Sequence, residues 1–233
     1  MISVCVATYN GEKYIKEQLD SILSQLGDED EIIISDDGSQ DQTLKLITEY
    51  NDSRIKVFQN SFQNLILNFE FALKQANGDF IFLSDQDDVW LPNKIKICAN
   101  YLMNYDIILT NCKVVNANLE VINDSFFKLN NSKKGFFSNL SKNSYLGCCL
   151  AFRKEVLRKA IPFPKSIPMH DIWLGFVSEV FYKVKFIDEP LLLYRRHGKN
   201  ESPTAESSPY SLLQKIKFRF NIIKNFPKIC LRR

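Results

Sequence analysis

Glycine and proline are scarce, eight of each in 233 residues, which excludes a collagen-like, low-complexity or disordered chain. No apolar run approaches the roughly 18 residues that a membrane-spanning helix needs. Met1 to Cys5 carries no basic stretch ahead of an apolar segment, so no secretory signal is expected. Six cysteines (Cys5, Cys98, Cys112, Cys148, Cys149 and Cys230) form no C-x-x-C pair. A zinc or disulfide framework needs paired spacing, and buried free thiols are the expectation instead. Acidic residues stop at Glu206, whereas Lys215, Lys217, Arg219, Lys224, Lys228, Arg232 and Arg233 follow. That tail leaves residues 1–206 at −4 within a total of +3. An acidic body with a basic tail suggests an anionic surface as partner. At 45% hydrophobic residues, the chain reads as soluble, cytoplasmic and globular, large enough for one domain with an appendage.

What is present is an alternation of two periods. Ile2–Ala7, Glu31–Ser35, Arg54–Phe58 and Asp79–Ser84 are short apolar runs that predict buried strands. Between them, Ile15, Leu19, Ile22, Leu23 and Leu26 recur at helical spacing, and Asn68 to Ala76 predicts a further helix stopped by Asn77-Gly78. Ser39 with Gln42 has the form of a capping box opening a helix through Leu44, Leu46 and Ile47. Strands and helices in that order predict parallel βαβ units, an α/β fold with helices on both sheet faces and ligands beyond the carboxyl ends of the strands. Further on, Ile107–Thr110 predicts a strand and Met169–Tyr182 a helix. Phe186–Tyr194 predicts a late strand interrupted at Pro190. Residues 123–144, rich in Asn, Ser and Lys, read as a long mobile connection or lid.

The strand ends are loaded with polar groups: Thr8-Tyr9-Asn10-Gly11-Glu12, Ser35-Asp36-Asp37-Gly38-Ser39 and Ser84-Asp85-Gln86-Asp87-Asp88. In a parallel sheet these loops converge, and the five aspartates need a compensating cation or hydrogen-bond donors. One such loop alone reads as a turn or helix start. Two at the ends of neighbouring apolar strands point to a metal–diphosphate site built on carboxylate oxygens. No G-x-G-x-x-G follows the first strand and no G-x-x-x-x-G-K-[ST] occurs, so a Gly-rich phosphate cradle is excluded.

Val6 to Gly11, Ser35 to Asp41 and Gly78 to Trp90 together resemble the family 2 glycosyltransferases, over about residues 2–200. The resemblance is to the bacterial branch that includes rhamnosyltransferases of polysaccharide assembly. It implies the GT-A fold, a Rossmann-like, mostly parallel central sheet. It also implies inverting transfer from a UDP- or dTDP-linked donor to a glycan or lipid-linked glycan acceptor of capsule, O-antigen or lipooligosaccharide, with Mn²⁺ or Mg²⁺. The donor set it implies is Thr8, Tyr9, Asn10, Glu12, Asp36, Asp37, Asp85 and Gln86, with Asp87 and His197 on the metal and Asp88 orienting the loop. Leu65 stands where relatives often carry Gly. Gly147-Cys148-Cys149-Leu150-Ala151-Phe152 resembles an acceptor-proximal loop, and Met169-His170-Asp171-Ile172-Trp173-Leu174 a His-Asp-Trp-Trp-like segment. In that segment Asp171 is the general base, His170 orients it, and Trp173 lies near the acceptor. On residue type alone, Asp171 reads as a helix N-terminal acid and Trp90 and Trp173 as core. Arg195 and Arg196 would meet the departing diphosphate.

The expected organisation is a donor half (1–100), an acceptor half (101–206) and a basic amphipathic tail (207–233). In the tail, Leu212, Ile216, Phe220 and Ile223 form one helical stripe, with Phe218 and Ile222 outside it. That stripe would lie on anionic lipid or dock on the domain. Nucleic acid is disfavoured by the acidic body. A non-catalytic nucleotide-sugar-binding scaffold is the alternative to an enzyme. A nucleotidyltransferase would want a Gly-rich, basic first loop that this chain lacks.

Overall fold

The computed structural model describes residues 1–198, 200 and 211–230. Its strands are β1 (Ile2–Thr8), β2 (Glu31–Asp36), β3 (Ile55–Gln59), β4 (Phe80–Asp85), β5 (Val89–Trp90), β6 (Ile107–Val115), β7 (Val121–Asn123), β8 (Leu150–Arg153) and β9 (Val184–Arg195). Its helices are α1 (Ile15–Leu23), α2 (Thr43–Thr48), α3 (Leu65–Gln75), α4 (Lys94–Leu102), α5 (Phe126–Asn130), α6 (Phe136–Ser141), α7 (Val156–Ala160), α8 (His170–Phe181) and α9 (Leu212–Cys230). One sheet runs β3-β2-β1-β4-β8-β6-β9-β5, with β7 paired to β6.

The predicted parallel unit is present: β1 pairs in parallel with β2 and β4, and β2 with β3. Val4, Cys5 and Val6 are all fully buried. Successive strand residues face opposite ways, so both faces of β1 are covered. Register then places the site. Thr8 lies opposite Asp36, and Ala7 opposite Asp85, so three strand ends finish level on one edge. Beyond β4 the sheet turns mixed, β8 running antiparallel to both β4 and β6, while β9 returns parallel to β6.

Several expectations are corrected. No capping box forms on Ser39, whose hydroxyl donates to Asp36; Asp41 instead accepts the Thr43 amide at 2.9 Å. Helix α3 opens at Leu65 rather than Asn68, because the Asn64 side chain accepts the Leu67 amide. Strand β9 continues through Pro190, where the ladder with β6 shifts register between Thr110 and Asn111 and needs no donor from the proline. The stretch 123–144 is structured: Phe126 and Phe127 are buried, and Asn139 Nδ2 donates to the Lys133 and Gly135 carbonyls.

The tail docks, but through a different face from the expected stripe. Ile222 and Ile229 are buried, and the Phe226 ring meets Phe136 at 5.6 Å and Trp173 at 6.1 Å. Arg219 donates to the Leu140 and Ser141 carbonyls. Leu212, Ile216, Phe220 and Ile223 stay exposed. Residues 207–210 and 231–233 of the predicted tail lie outside the described residues. Among the described residues, no helix is long and apolar enough to cross a membrane.

Candidate active site

The loops after β1, β2 and β4 lock one another. The Tyr9 amide donates to Gln86 Oε1 at 2.9 Å, and Gln86 Nε2 returns a bond to the Tyr9 carbonyl at 3.0 Å. Gly11 permits this approach, since a Cβ there would stand 2.3 Å from Gln86 Oε1. Asn10 accepts from the Gln40 amide at 2.8 Å, and Glu12 from the Gln42 amide at 2.8 Å. Tyr9 itself remains 54% exposed, its ring free to face a ligand.

Asp36 and Asp37 are both spent inside this floor. Thr8 Oγ1, the Gly38 and Ser39 amides and the Ser39 hydroxyl all donate to the buried Asp36 carboxylate. Its expected place in the donor set is therefore corrected: it shapes the loop. Asp37 accepts the Gln63 and Asn64 amides at 2.9 and 2.8 Å, tying β2 to the start of α3. The same junction holds Asn68, which donates to the Ser35 and Thr8 carbonyls.

The loop after β4 concentrates the charge. Asp87 Oδ2 lies 2.7 Å from His197 Nε2, and Asn200 donates to the same oxygen at 3.3 Å. Asp88 is fully buried; one oxygen accepts the Arg195 amide at 2.9 Å, and the other has no hydrogen-bond partner among the described residues. Burial, then the Asp87 and Asp85 charges, raises its pKa well above the ordinary range. Burial, then the Asp87 and Asp171 charges, pushes Asp85 up to about 8. Asp85, Asp88 and the Cys148 thiol bring ligand atoms within 4.8 Å of one another. Cys148, expected beside the acceptor, thus sits against the acidic cluster.

Arg195 is the residue the sequence placed wrongly. It is buried, with Nε donating to the Asp87 carbonyl at 2.7 Å, Nη1 to the Ala117 carbonyl at 2.8 Å, and Nη2 to Glu17. Its guanidinium lies 4.5 Å from the Tyr14 ring, which stacks on His197 at 4.9 Å. Nε is thus committed to the acid loop, Nη1 to the turn between β6 and β7 and Nη2 to α1, so the guanidinium clamps three segments together. Arg196 follows, half-buried, with Nη1 3.4 Å from the Tyr194 hydroxyl.

On the other side, Asp171 opens α8. Its oxygens accept the Gly147 amide at 3.0 Å and the Ile172 amide at 2.6 Å. Burial raises its pKa to about 7, although these two amides favour the ionised form. His170 does not orient it: neither ring nitrogen has a hydrogen-bond partner among the described residues, and the ring stacks on Phe69 at 4.0 Å. Burial pushes His170 down to about 3, so it is a neutral packing residue. Gly147 does the orienting, and a Cβ there would meet His170 Nε2 at 3.1 Å. Trp173 is fully buried, with Nε1 donating to the Ala160 carbonyl at 2.9 Å. It belongs to the core, as does Trp90.

Sequence reasoning missed Glu17, Tyr14, Asn68 and Lys94. Lys94 is buried, with Nζ donating to the Cys148 carbonyl at 3.2 Å. Of these, only Asn68 carried a local signal, a polar residue inside the apolar run Leu65–Phe69.

A sheet whose level strand ends carry an acid cluster, facing a carboxylate held by backbone amides, suits transfer of a group from a diphosphate leaving group. Residues 3–161 match Glycosyl transferase family 2, and the chain belongs to that family. It is a glycosyltransferase of the GT-A fold. It is 31% identical over 215 residues to the dTDP-rhamnosyl transferase RfbG of Shigella flexneri, covering 84% of this chain and 73% of that protein. It is 29% identical over 184 residues to the Escherichia coli UDP-Glc:alpha-D-GlcNAc-diphosphoundecaprenol beta-1,3-glucosyltransferase WfgD, covering 77% and 70%. Among solved structures, S. aureus TarS 1-349 in complex with UDP-GlcNAc is similar with a TM-score of 0.72 and 25% identity, over 96% of this chain and 66% of that one.

Proposed function

We propose that this chain moves a sugar from a UDP- or dTDP-linked donor to a hydroxyl of a bacterial surface-glycan precursor, inverting the anomeric centre. The observation that carries the reading is the meeting of the two halves. The Gly147-Cys148 turn joins them: the Gly147 amide donates to Asp171, at the start of α8, at 3.0 Å, and the Cys148 thiol lies within 4.8 Å of carboxylate oxygens of Asp85, at the end of β4, and Asp88. In this reading residues 1–100 serve the donor and residues 101–206 the acceptor. The names of the relatives support the donor and acceptor classes: one is a dTDP-rhamnosyl transferase, another takes UDP-Glc and a diphosphoundecaprenol-linked acceptor.

The proposed chemistry assigns each of these groups one step. Asp171 takes the proton of the acceptor hydroxyl as that oxygen attacks C1 of the donor sugar from the face opposite the diphosphate. The C1–O bond to phosphate breaks, and its electron pair leaves with the nucleoside diphosphate. In this reading Tyr9 and Asn10 border the base, Asp85 faces the sugar, and Arg196 meets the departing charge.

The donor set suits a hard divalent cation such as Mg²⁺ or Mn²⁺. Asp87 and His197 present an oxygen and a nitrogen side by side, and Asp88 keeps a buried carboxylate oxygen without a hydrogen-bond partner among the described residues. Asp87 and His197 would hold the ion, which when bound neutralises the diphosphate.

Calorimetric titration with UDP-, dTDP- and GDP-linked sugars, with and without Mn²⁺, tests the reading. One donor is expected to bind in a metal-dependent way, and Asp87→Ala to weaken that binding at least about tenfold, as loss of a metal ligand does. Absence of binding to every donor by the folded wild type would overturn it.

A further inference from the structure

Helix α9 has two faces, and the rest of the protein uses one. Ile222, Phe226 and Ile229 pack inward, and Asn225 Nδ2 reaches Ser166 Oγ at 3.2 Å. At about 100° per residue, Leu212, Leu213, Ile216, Phe220 and Ile223 fall on the opposite side within a single arc. All five are between 47% and 79% exposed. Phe137, on the neighbouring α6, is 82% exposed. Lys217 and Lys224 border this strip on one flank and Lys215 on the other, with Lys224 Nζ 5.8 Å from the Phe220 ring.

We propose that α9 seats the enzyme on an anionic lipid surface. Branched and aromatic side chains enter the acyl boundary, and the lysine ammonium groups meet headgroup phosphates. Charge selects this occupant. No acidic residue follows Glu206, so a second copy laid on the strip would set lysine against lysine. The placement also fits the chemistry. Phe226 contacts Trp173 of α8, whose first turn holds Asp171, so the lipid would lie on the acceptor side of the molecule. This last point rests on the proposed role of Asp171; the lipid contact does not.

The test is partition of the full chain onto vesicles of phosphatidylcholine, with or without phosphatidylglycerol. Wild type is expected to bind the anionic vesicles at least about tenfold more strongly than the neutral ones. Replacing Lys215, Lys217 and Lys224 by Ser should lower that binding by about a hundredfold, at roughly fivefold per lysine. Ile216→Glu with Phe220→Glu should reduce it to background. Ile216, Phe220, Lys217 and Lys224 are exposed and Lys215 is half-buried, and unchanged donor titration confirms that the variants fold. Equal binding of wild type to both vesicles, or wild-type binding by the Glu variant, would overturn the proposal. So would a concentration-dependent dimer, without vesicle binding, that the same Glu variant abolishes. Vesicle binding by a protein that transfers no sugar would refute the function proposed above and leave the lipid contact standing.

Discussion

Asp171→Asn separates the chemistry of the site from its stability. Removing a positioned general base costs about 10²–10⁴-fold in rate. The isosteric amide should leave donor binding unchanged, because the Asp171 carboxylate bonds to the Gly147 and Ile172 amides and not to the loops after β1, β2 and β4. In the wild type, a pKa of about 7 leaves roughly one-tenth of the carboxylate ionised at pH 6 and nine-tenths at pH 8. Transfer at saturating donor, read as release of nucleoside diphosphate, should therefore rise about tenfold across that interval. Stability moves the other way. A carboxyl whose pKa is raised from 3.8 to about 7 holds its proton in the folded state while the unfolded chain releases it. The wild type accordingly loses stability as pH climbs from 4 to 7, by up to about 4 kcal/mol. The variant has no such group, so its stability relative to wild type should improve over that window in denaturant titrations. Any mismatch between its amide and the Gly147 or Ile172 N–H is the same at every pH. A flat pH–rate profile together with a pH-independent stability difference would refute the reasoning.

Two further substitutions probe the framework. Arg195→Met removes the clamp on the acid loop and leaves the Asp87 and Ala117 carbonyls unpaired, an expected loss of about 2–4 kcal/mol and a melting temperature lower by roughly 5–10 °C. Glu17→Ala, at the exposed end of the same contact, should cost under about 1 kcal/mol; equal effects of the two would contradict the clamp. Gly11→Ala drives a Cβ onto Gln86, with an expected cost of about 1–3 kcal/mol in urea unfolding. Adding Gln86→Ala should recover most of it, and strict additivity would show that the two residues do not meet.

The parallel unit and its loaded strand ends were legible because both are local. An apolar run of six residues declares a buried strand, and the acids sit on the next few positions. The roles of those acids were less legible. Asp36 and Asp87 look alike in sequence, yet hydroxyls and amides saturate one, while the other faces a histidine. The Arg195–Glu17 contact spans 178 positions, and no periodicity reports it. The 123–144 stretch misled through its composition. Its asparagines bond inward to backbone carbonyls, and Phe126, Phe127 and Phe136 anchor them. For the tail, spacing revealed an apolar stripe but not whether protein covers it, and the docked face turned out to be the other one.

Arg195 has a consequence for how this protein comes into being. Strands β1 to β4 leave the ribosome first and can align their ends early. The acid loop cannot take its shape then, because the groups that fix it, the Arg195 amide and guanidinium and the β5–β9 pairing, belong to the end of β9. A nascent chain therefore carries the whole Ser84–Asp88 motif for more than a hundred residues of synthesis before that motif is set. The loop takes its shape late, as a closing step of folding, and a chain cut short before Arg195 would keep every acid of that motif and lose the contacts that set it.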